Sequence, residues 1–289
     1  MRLDVFLAAH APELSRAQAQ RLIREGHCTV NGLPARAAQK LTVADVVAVQ
    51  MVEPSPRVPP RPAALDILFE DEWLIVLNKP AGLAVHPAPG AGPDTLLNAL
   101  AAYLQPPVRP SFVHRLDKDT TGAILAAKTV AVHRALKQQV EAGQMKRTYW
   151  AIVDGIIEPS QGVIEAPLAP LKGRRGRMAV DPQGRRAVTH YRTLAQWCTP
   201  AGPLALLEIH LETGRTHQIR AHFAHVGHPL VGDSTYGGPP APPAVGLAGQ
   251  ALHSRSLQFV HPRSGVLVRV EAPLPGTFAA LLPGHVGSV

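Results

Sequence analysis

Aromatic residues make up only 4% of this 289-residue chain, and cysteine occurs twice, at Cys28 and Cys198. With no Cys-x-x-Cys pair, neither a disulfide framework nor a thiolate zinc site is supported, and both cysteines are expected as small buried or half-buried residues. No apolar run approaches the ~18–20 residues of a transmembrane helix. The opening Met1-Arg2-Leu3-Asp4-Val5-Phe6-Leu7 puts an acid where a secretory signal would be apolar, so a cytoplasmic protein is expected. Negative charge is in the minority too: 21 Asp and Glu face 29 Lys and Arg, a formal +8. That excess attracts a polyanion, whether nucleic acid or an anionic membrane, without choosing between them.

Proline is plentiful and locally concentrated. Five of the ten residues from Glu53 to Pro62 are proline, which suits an extended linker better than a packed element. The chain therefore divides into a small unit over 1–52, a linker over 53–64 and a large domain over 65–289. In the small unit Ser15-Arg16-Ala17-Gln18 has the form of a capping box, and the helix it starts should end at Gly26. Asn31-Gly32 then favours a tight type I′ hairpin. Arg2-Leu3-Asp4, Ser15-Arg16, Leu22-Ile23-Arg24-Glu25-Gly26, Val30-Asn31-Gly32 and Asp45, taken in order, resemble the S4 RNA-binding domain, with Ala44 standing where that family usually has Gly. The resemblance makes Arg16, Arg21 and Arg24 candidate RNA contacts.

The large domain opens with two strand-like segments, Leu65–Glu72 and Leu74–Pro80, around an acidic turn. Thr129 can cap a helix in which Val132, Leu136 and Val140 recur at four-residue spacing up to Gly143. Arg147–Val153 is rich in β-formers, and Leu207, Ile209 and Leu211 alternate with polar residues. A helix over about 216–226 follows, and the stretches 257–260 and 266–270 read as closing strands. Many strands and few helices indicate an α+β fold with a mixed, largely antiparallel sheet, beside the small α/β S4-like unit.

The run His114-Arg115-Leu116-Asp117-Lys118-Asp119-Thr120-Thr121-Gly122 sets carboxylates between cations and closes on a turn-forming Thr-Thr-Gly. On chemistry alone either Asp117 or Asp119 could act, although Asp119 is placed to bond its own turn. This run, with Asn78-Lys79-Pro80-Ala81-Gly82, Arg147-Thr148-Tyr149-Trp150-Ala151 and Thr213-Gly214-Arg215-Thr216-His217-Gln218-Ile219-Arg220, resembles the RluA/RluD-type pseudouridine synthases in content and order. The likeness continues through Gly227-His228-Pro229, Gly232-Asp233 and Leu252-His253 almost to the C-terminus. What it implies is isomerisation of a uridine within RNA: the C1′–N1 bond breaks, the uracil turns, and a C1′–C5 bond forms.

Carried over from that family, Asp117 is the nucleophile or charge stabiliser at C1′, Arg220 its counter-ion, and Tyr149 the aromatic platform whose hydroxyl can take part in proton removal from C5. Arg115 is implied to enter the space left by the flipped nucleotide. His114 and Thr121-Gly122 are assigned to shaping the turn, and Lys79-Pro80 to shaping a loop under the sheet. Lys172, Arg174, Arg175 and Arg177, with Arg185 and Arg186, place six cations in fifteen residues opposed only by Asp181, a candidate contact for RNA phosphates. The flanking segments resemble most closely the RluD-like branch, which implies large-subunit ribosomal RNA as partner, with tRNA as the other RNA to consider. Neither a cofactor nor a metal is implied: His217, His222, His225 and His228 do not form His-Glu-x-x-His. The chain is expected to act as a monomer on its RNA. The competing reading is a non-catalytic RNA-binding protein on a decayed enzyme domain, against which Asp117, Tyr149 and Arg220 are all retained.

Overall fold

A computed structural model describes residues 1–11, 14–50, 59–87, 94–171, 173 and 176–284. Two helices, α1 (Leu3–His10) and α2 (Arg16–Arg24), lie with three short strands, β1 (Cys28–Val30), β2 (Leu33–Pro34) and β3 (Val47–Val49), around Leu3, Leu7, Ala19, Ile23, Cys28 and Val30. The capping box at Ser15 forms in both directions, and Gly26 takes the left-handed conformation at φ +81°. Asn31 and Gly32 both have positive φ, as a type I′ turn requires, and pair Val30 with Leu33. Ala44 replaces the customary glycine without opening its turn, because the Asp45 carboxylate accepts from the Thr42 N–H and the Asn31 amide. Cys28 is buried as expected; Cys198 is exposed, on the outward alternation of a long strand.

Residues 53–58 of the linker lie outside the described residues. The rest of it is held rather than free: the Arg61 N–H donates to the Asn98 carbonyl, the Asn98 side chain to the Pro59 carbonyl, and Arg61 meets Asp94. Asn98 is buried at a helix start and needs an acceptor for its amide, which the Pro59 carbonyl of this extended segment provides.

The large domain runs β4 (Ile67–Glu70), β5 (Leu74–Lys79), α3 (Leu96–Leu104), β6 (Ser111–Phe112), β7 (Thr121–Ala127), α4 (Val130–Glu141), β8 (Lys146–Asp154), β9 (Gln161–Glu165), β10 (Leu168–Pro170), β11 (Met178–Val180), β12 (Val188–Thr199), β13 (Gly202–Leu211), α5 (Gln218–His225), β14 (Leu252–Val260), β15 (Leu267–Glu271) and α6 (Gly276–Ala279). Ten of these strands form one sheet along the path β4-β5-β7-β14-β8-β13-β12-β9, with β6 and β15 at its sides; only β7 and β14 run parallel. The fold class is therefore α+β with a mostly antiparallel sheet.

Period-two alternation sends Ile75, Leu77, Ile124 and Ala126 to one face with Leu100 of α3 and Phe223 of α5, and Leu74, Val76, Ala123 and Leu125 to the other with Val132 and Leu136 of α4. Thr129 caps α4 as predicted. β14 is the departure: the sequence presented it as a closing strand, yet it inserts at the centre, between β7 and β8. Among the described residues no helix is long and apolar enough to cross a membrane.

That insertion places the motif. Ser254 of β14 pairs with Gly122 on one side and Tyr149 on the other. Gly122 has φ +101°, and a Cβ there would lie 2.3 Å from the Ser254 carbonyl oxygen, so no other residue fits. Gly122→Ala should cost about 2–5 kcal/mol from backbone strain and overpacking together, read as a fall in thermal midpoint; an unchanged midpoint would mean β7 and β14 are not tied here.

Candidate active site

Asp117 stands on the loop between β6 and β7, and every part of that loop is fastened. Leu116 is buried in the core. The Thr120 N–H donates to the Asp117 carbonyl, the Gln250 amide donates to the Thr120 hydroxyl, and the Thr121 hydroxyl bonds His253 Nδ1 at 2.8 Å. His114 Nε2 accepts the Leu125 N–H, and burial pushes its pKa down to about 3, with the charges of Arg147 and Lys137 adding to the effect, so the ring is neutral.

Lys79, only 1% exposed, donates to the carbonyls of Pro80, Leu83 and Lys118 at 2.6–2.8 Å, which ties the Asp117 loop to the end of β5. Burial lowers its pKa to about 8, opposed by the charges of Asp119 and Asp117. Lys79→Met should orphan those buried carbonyls and cost about 2–4 kcal/mol, measurable by denaturant unfolding; a loss within ~0.5 kcal/mol, the range of ordinary surface changes, would contradict this tethering role.

Arg220, on α5, reaches two carboxylates at once. Its Nη1 donates to Asp117 Oδ2 at 3.0 Å, while Nε and Nη2 take Asp233 Oδ2 and Oδ1 at 2.6 and 2.8 Å. Burial works against the guanidinium's charge, but the hydrogen bonds it donates to Asp233 and the charge of Asp117 outweigh it and hold the pKa above the ordinary arginine value. Asp233 is itself buried and fixed by the N–H groups of Thr235 and Tyr236. The fork of Arg220 is thus clamped on one side by Asp233 and aims its remaining edge at Asp117. Sequence reasoning missed Asp233 as this clamp; its sole signal was Gly232-Asp233 within the matched stretch.

Tyr149 is buried in β8, and burial raises its pKa, with the charge of Arg147 pulling down and that of Asp117 pushing up. Its hydroxyl makes no hydrogen bond among the described residues. Arg147, two residues earlier on the same face, is also buried, with its Nε–H lacking an acceptor, and its terminal nitrogens lie beside Gly214. Arg115 is exposed and makes no ion pair among the described residues.

Asp119 does not bond its own turn, contrary to the sequence expectation. Thr121 and Gly122, whose amides an Asx turn would draw on, are paired with β5 and β14, and the turn closes through the Asp117 carbonyl instead. Asp119 packs against Gly249, where a Cβ would approach its own Cβ to 2.6 Å, and its charge acts on Lys79.

His217 was missed as a site residue. It holds the N-cap of α5 at φ +53°, a left-handed conformation costing a non-glycine residue about 1–3 kcal/mol. From there its Nε2 lies 3.8 Å from Asp117 Oδ2 and its Nδ1 3.2 Å from the Tyr236 hydroxyl. Tyr236 also accepts the Met178 N–H and carries the guanidinium groups of Arg177 and Arg220 over its ring, at 5.1 and 5.2 Å from the centroid.

Of the basic segment, Lys172, Arg174 and Arg175 lie outside the described residues. In the small unit, Arg16 pairs with the buried Asp4, Arg21 leans on Glu25 at 3.4 Å, and Arg24 is exposed. His222 bonds Thr189 and the Ala166 carbonyl, and His228 the Asp154 carbonyl, so these histidines do not converge with His217. Among the described residues no group of three or more His, Cys, Asp or Glu could hold a metal ion.

Comparison with known proteins bears on what this arrangement does. The family model described as RNA pseudouridylate synthase matches residues 73–225, and that of the S4 domain matches residues 1–47. An uncharacterized RNA pseudouridine synthase of Bacillus subtilis is 41% identical, over 97% of this chain and 93% of that one. The ribosomal large subunit pseudouridine synthase D of Escherichia coli O157:H7 is 39% identical, over 97% of this chain and 89% of that one. Among solved structures, the human RNA pseudouridylate synthase domain containing 4 protein superposes with a TM-score of 0.60 at 27% identity, covering 74% of this chain and 90% of that one.

Proposed function

Because the chain belongs to the RNA pseudouridylate synthase family and carries an S4 domain ahead of the synthase domain, we propose that it converts specific uridines of large-subunit ribosomal RNA to pseudouridine, in the cytoplasm, with Asp117 as the residue acting at C1′. The observation that carries this reading is the Arg220 bridge: one guanidinium, itself clamped by Asp233, holds the partly buried Asp117 carboxylate in a fixed orientation, which is what attack on or charge stabilisation at an anomeric carbon requires. The nucleotide is flipped out of its stack and Arg115 takes the vacated space. Cleavage releases uracil as a resonance-stabilised anion, which turns over Tyr149 and is recaptured through C5. Since the base returns to the same sugar, no second carboxylate and no co-substrate are needed.

Large-subunit RNA is favoured over tRNA by the Escherichia coli relative, a ribosomal large subunit pseudouridine synthase that matches along nearly the whole chain. Each turnover replaces the C5 hydrogen, so RNA tritiated at uridine C5 releases tritium to water in step with product. Release from large-subunit RNA transcripts and not from tRNA is the expected result; release from tRNA alone, or from neither, would overturn the assignment.

The basic segment contributes phosphate contacts in this reading. Replacing Arg174, Arg175 and Arg177 together should weaken RNA binding and flatten the dependence of log affinity on log salt by about one unit of slope per lost contact. An unchanged slope would mean these cations are merely solvated.

A further inference from the structure

Two arginines are buried among the described residues, Arg220 and Arg147, each 6% exposed. Arg220 is held by two carboxylates. Arg147 has none: it makes no ion pair and no hydrogen bond among the described residues, and its Nε–H is sealed from solvent without an acceptor. A guanidinium does not give up its proton in a protein, so the charge stays, and an unpaired buried charge weighs heavily against folding. The neighbourhood does not relieve it. His114 is kept neutral by burial and by the charge of Arg147; its Nε2 accepts the Leu125 N–H, so its proton is on Nδ1, which lacks an acceptor as well. What surrounds Arg147 is therefore rich in donors and positive charge.

Strand geometry fixes what that charge faces. Arg147 and Tyr149 are alternate residues of β8 on one face of the sheet, about 7 Å apart along the strand. The terminal nitrogens of Arg147 end beside Gly214, in the loop leading from β13 into α5, where a Cβ would meet Nη1 at 3.1 Å. Gly214 is exposed and its φ lies outside the left-handed range, so the backbone does not call for glycine there. The missing side chain instead leaves the tip of the guanidinium uncovered. The same loop holds unused donors, since the N–H groups of Gly214 and Thr216 find no acceptor among the described residues.

We propose that Arg147 and the Gly214 loop bind one phosphate group of the RNA backbone beside the nucleotide being modified; this rests on the chain acting on RNA. A phosphodiester brings a permanent negative charge and several acceptor oxygens, enough for the guanidinium edge and the loop N–H groups together. The uracil carbonyls are neutral when the base arrives and would leave the charge unpaired. A phosphate contact fixes register without reading sequence, so it sets where the strand passes while Tyr149 and Asp117 deal with base and sugar. Because the guanidinium is buried, salt screens it little until RNA covers it.

Arg147→Met in the full-length protein separates this from a structural role. Methionine keeps an apolar stem and removes an uncompensated charge, so the thermal midpoint should hold or rise. Affinity for a large-subunit RNA transcript should fall ~10–100-fold, and the slope of log affinity against log salt should lose about one unit. Single-turnover tritium release at saturating RNA should fall by less than the affinity does. A lowered midpoint would make the guanidinium structural and overturn the proposal. Unchanged affinity and slope would overturn it too, as would an unchanged slope with slowed release, which would set the guanidinium against the base. If the reading beneath it fails, the intact protein itself releases no tritium from any RNA, and the proposal falls with it.

Discussion

Asp117→Asn should lower the rate of pseudouridine formation by at least ~10⁴-fold while RNA affinity and thermal midpoint stay near wild type. The substitution is isosteric, and its amide oxygen can still accept from Arg220 Nη1, so the loop fastened by Lys79, Gln250 and His253 has no reason to move. What is lost is the negative charge, and with it both attack on C1′ and stabilisation of positive charge at the sugar. Single-turnover tritium release beside filter binding separates the two quantities. Release at the wild-type rate would remove Asp117 from the chemistry and return Asp119, two residues on, as the acting carboxylate.

The second large effect belongs to Arg220. Arg220→Met should destabilise the domain by about 3–5 kcal/mol, because the Asp233 side chain has no exposure to water and loses the one cation that pairs with it among the described residues. Activity should fall below detection for the same reason that Asp117 loses its orientation. Arg220→Lys keeps the charge, but one ammonium cannot reproduce three guanidinium contacts to two carboxylates, so ~10²-fold or more of turnover should still be lost. Adding Asp233→Asn to Arg220→Met removes the uncompensated buried carboxylate. Stability should partly recover and activity should not. If activity recovered as well, Arg220 would matter for folding alone.

Local features of the fold were legible and long-range ones were not, for a physical reason. The capping box at Ser15, the type I′ turn at Asn31-Gly32 and the cap at Thr129 each depend on hydrogen bonds within four residues, which a sequence displays directly. The place of β14 depends on pairing Ser254 with residues more than a hundred positions away, which no local pattern records. The site divides similarly. Asp117 and Arg220 were visible through motif resemblance, and the 3.0 Å contact between them agrees with the pairing that resemblance implied. Asp233, His217 and Tyr236 were not, since an acid, a histidine and a tyrosine beside a helix are ordinary until folding brings them to one guanidinium. Asp119 was misread because its turn seemed free to accept its side chain; the sheet had already taken those backbone groups.

If Asp117 makes pseudouridine in large-subunit ribosomal RNA as proposed, the modified uridines themselves are the readout. Unmodified large-subunit RNA incubated with the protein, treated with carbodiimide and mapped by primer extension tests the proposal most directly. Discrete new stops at one or a few uridines that vanish with Asp117→Asn are the expected result. The absence of any stop with the intact protein, or identical stops with the variant, would contradict it.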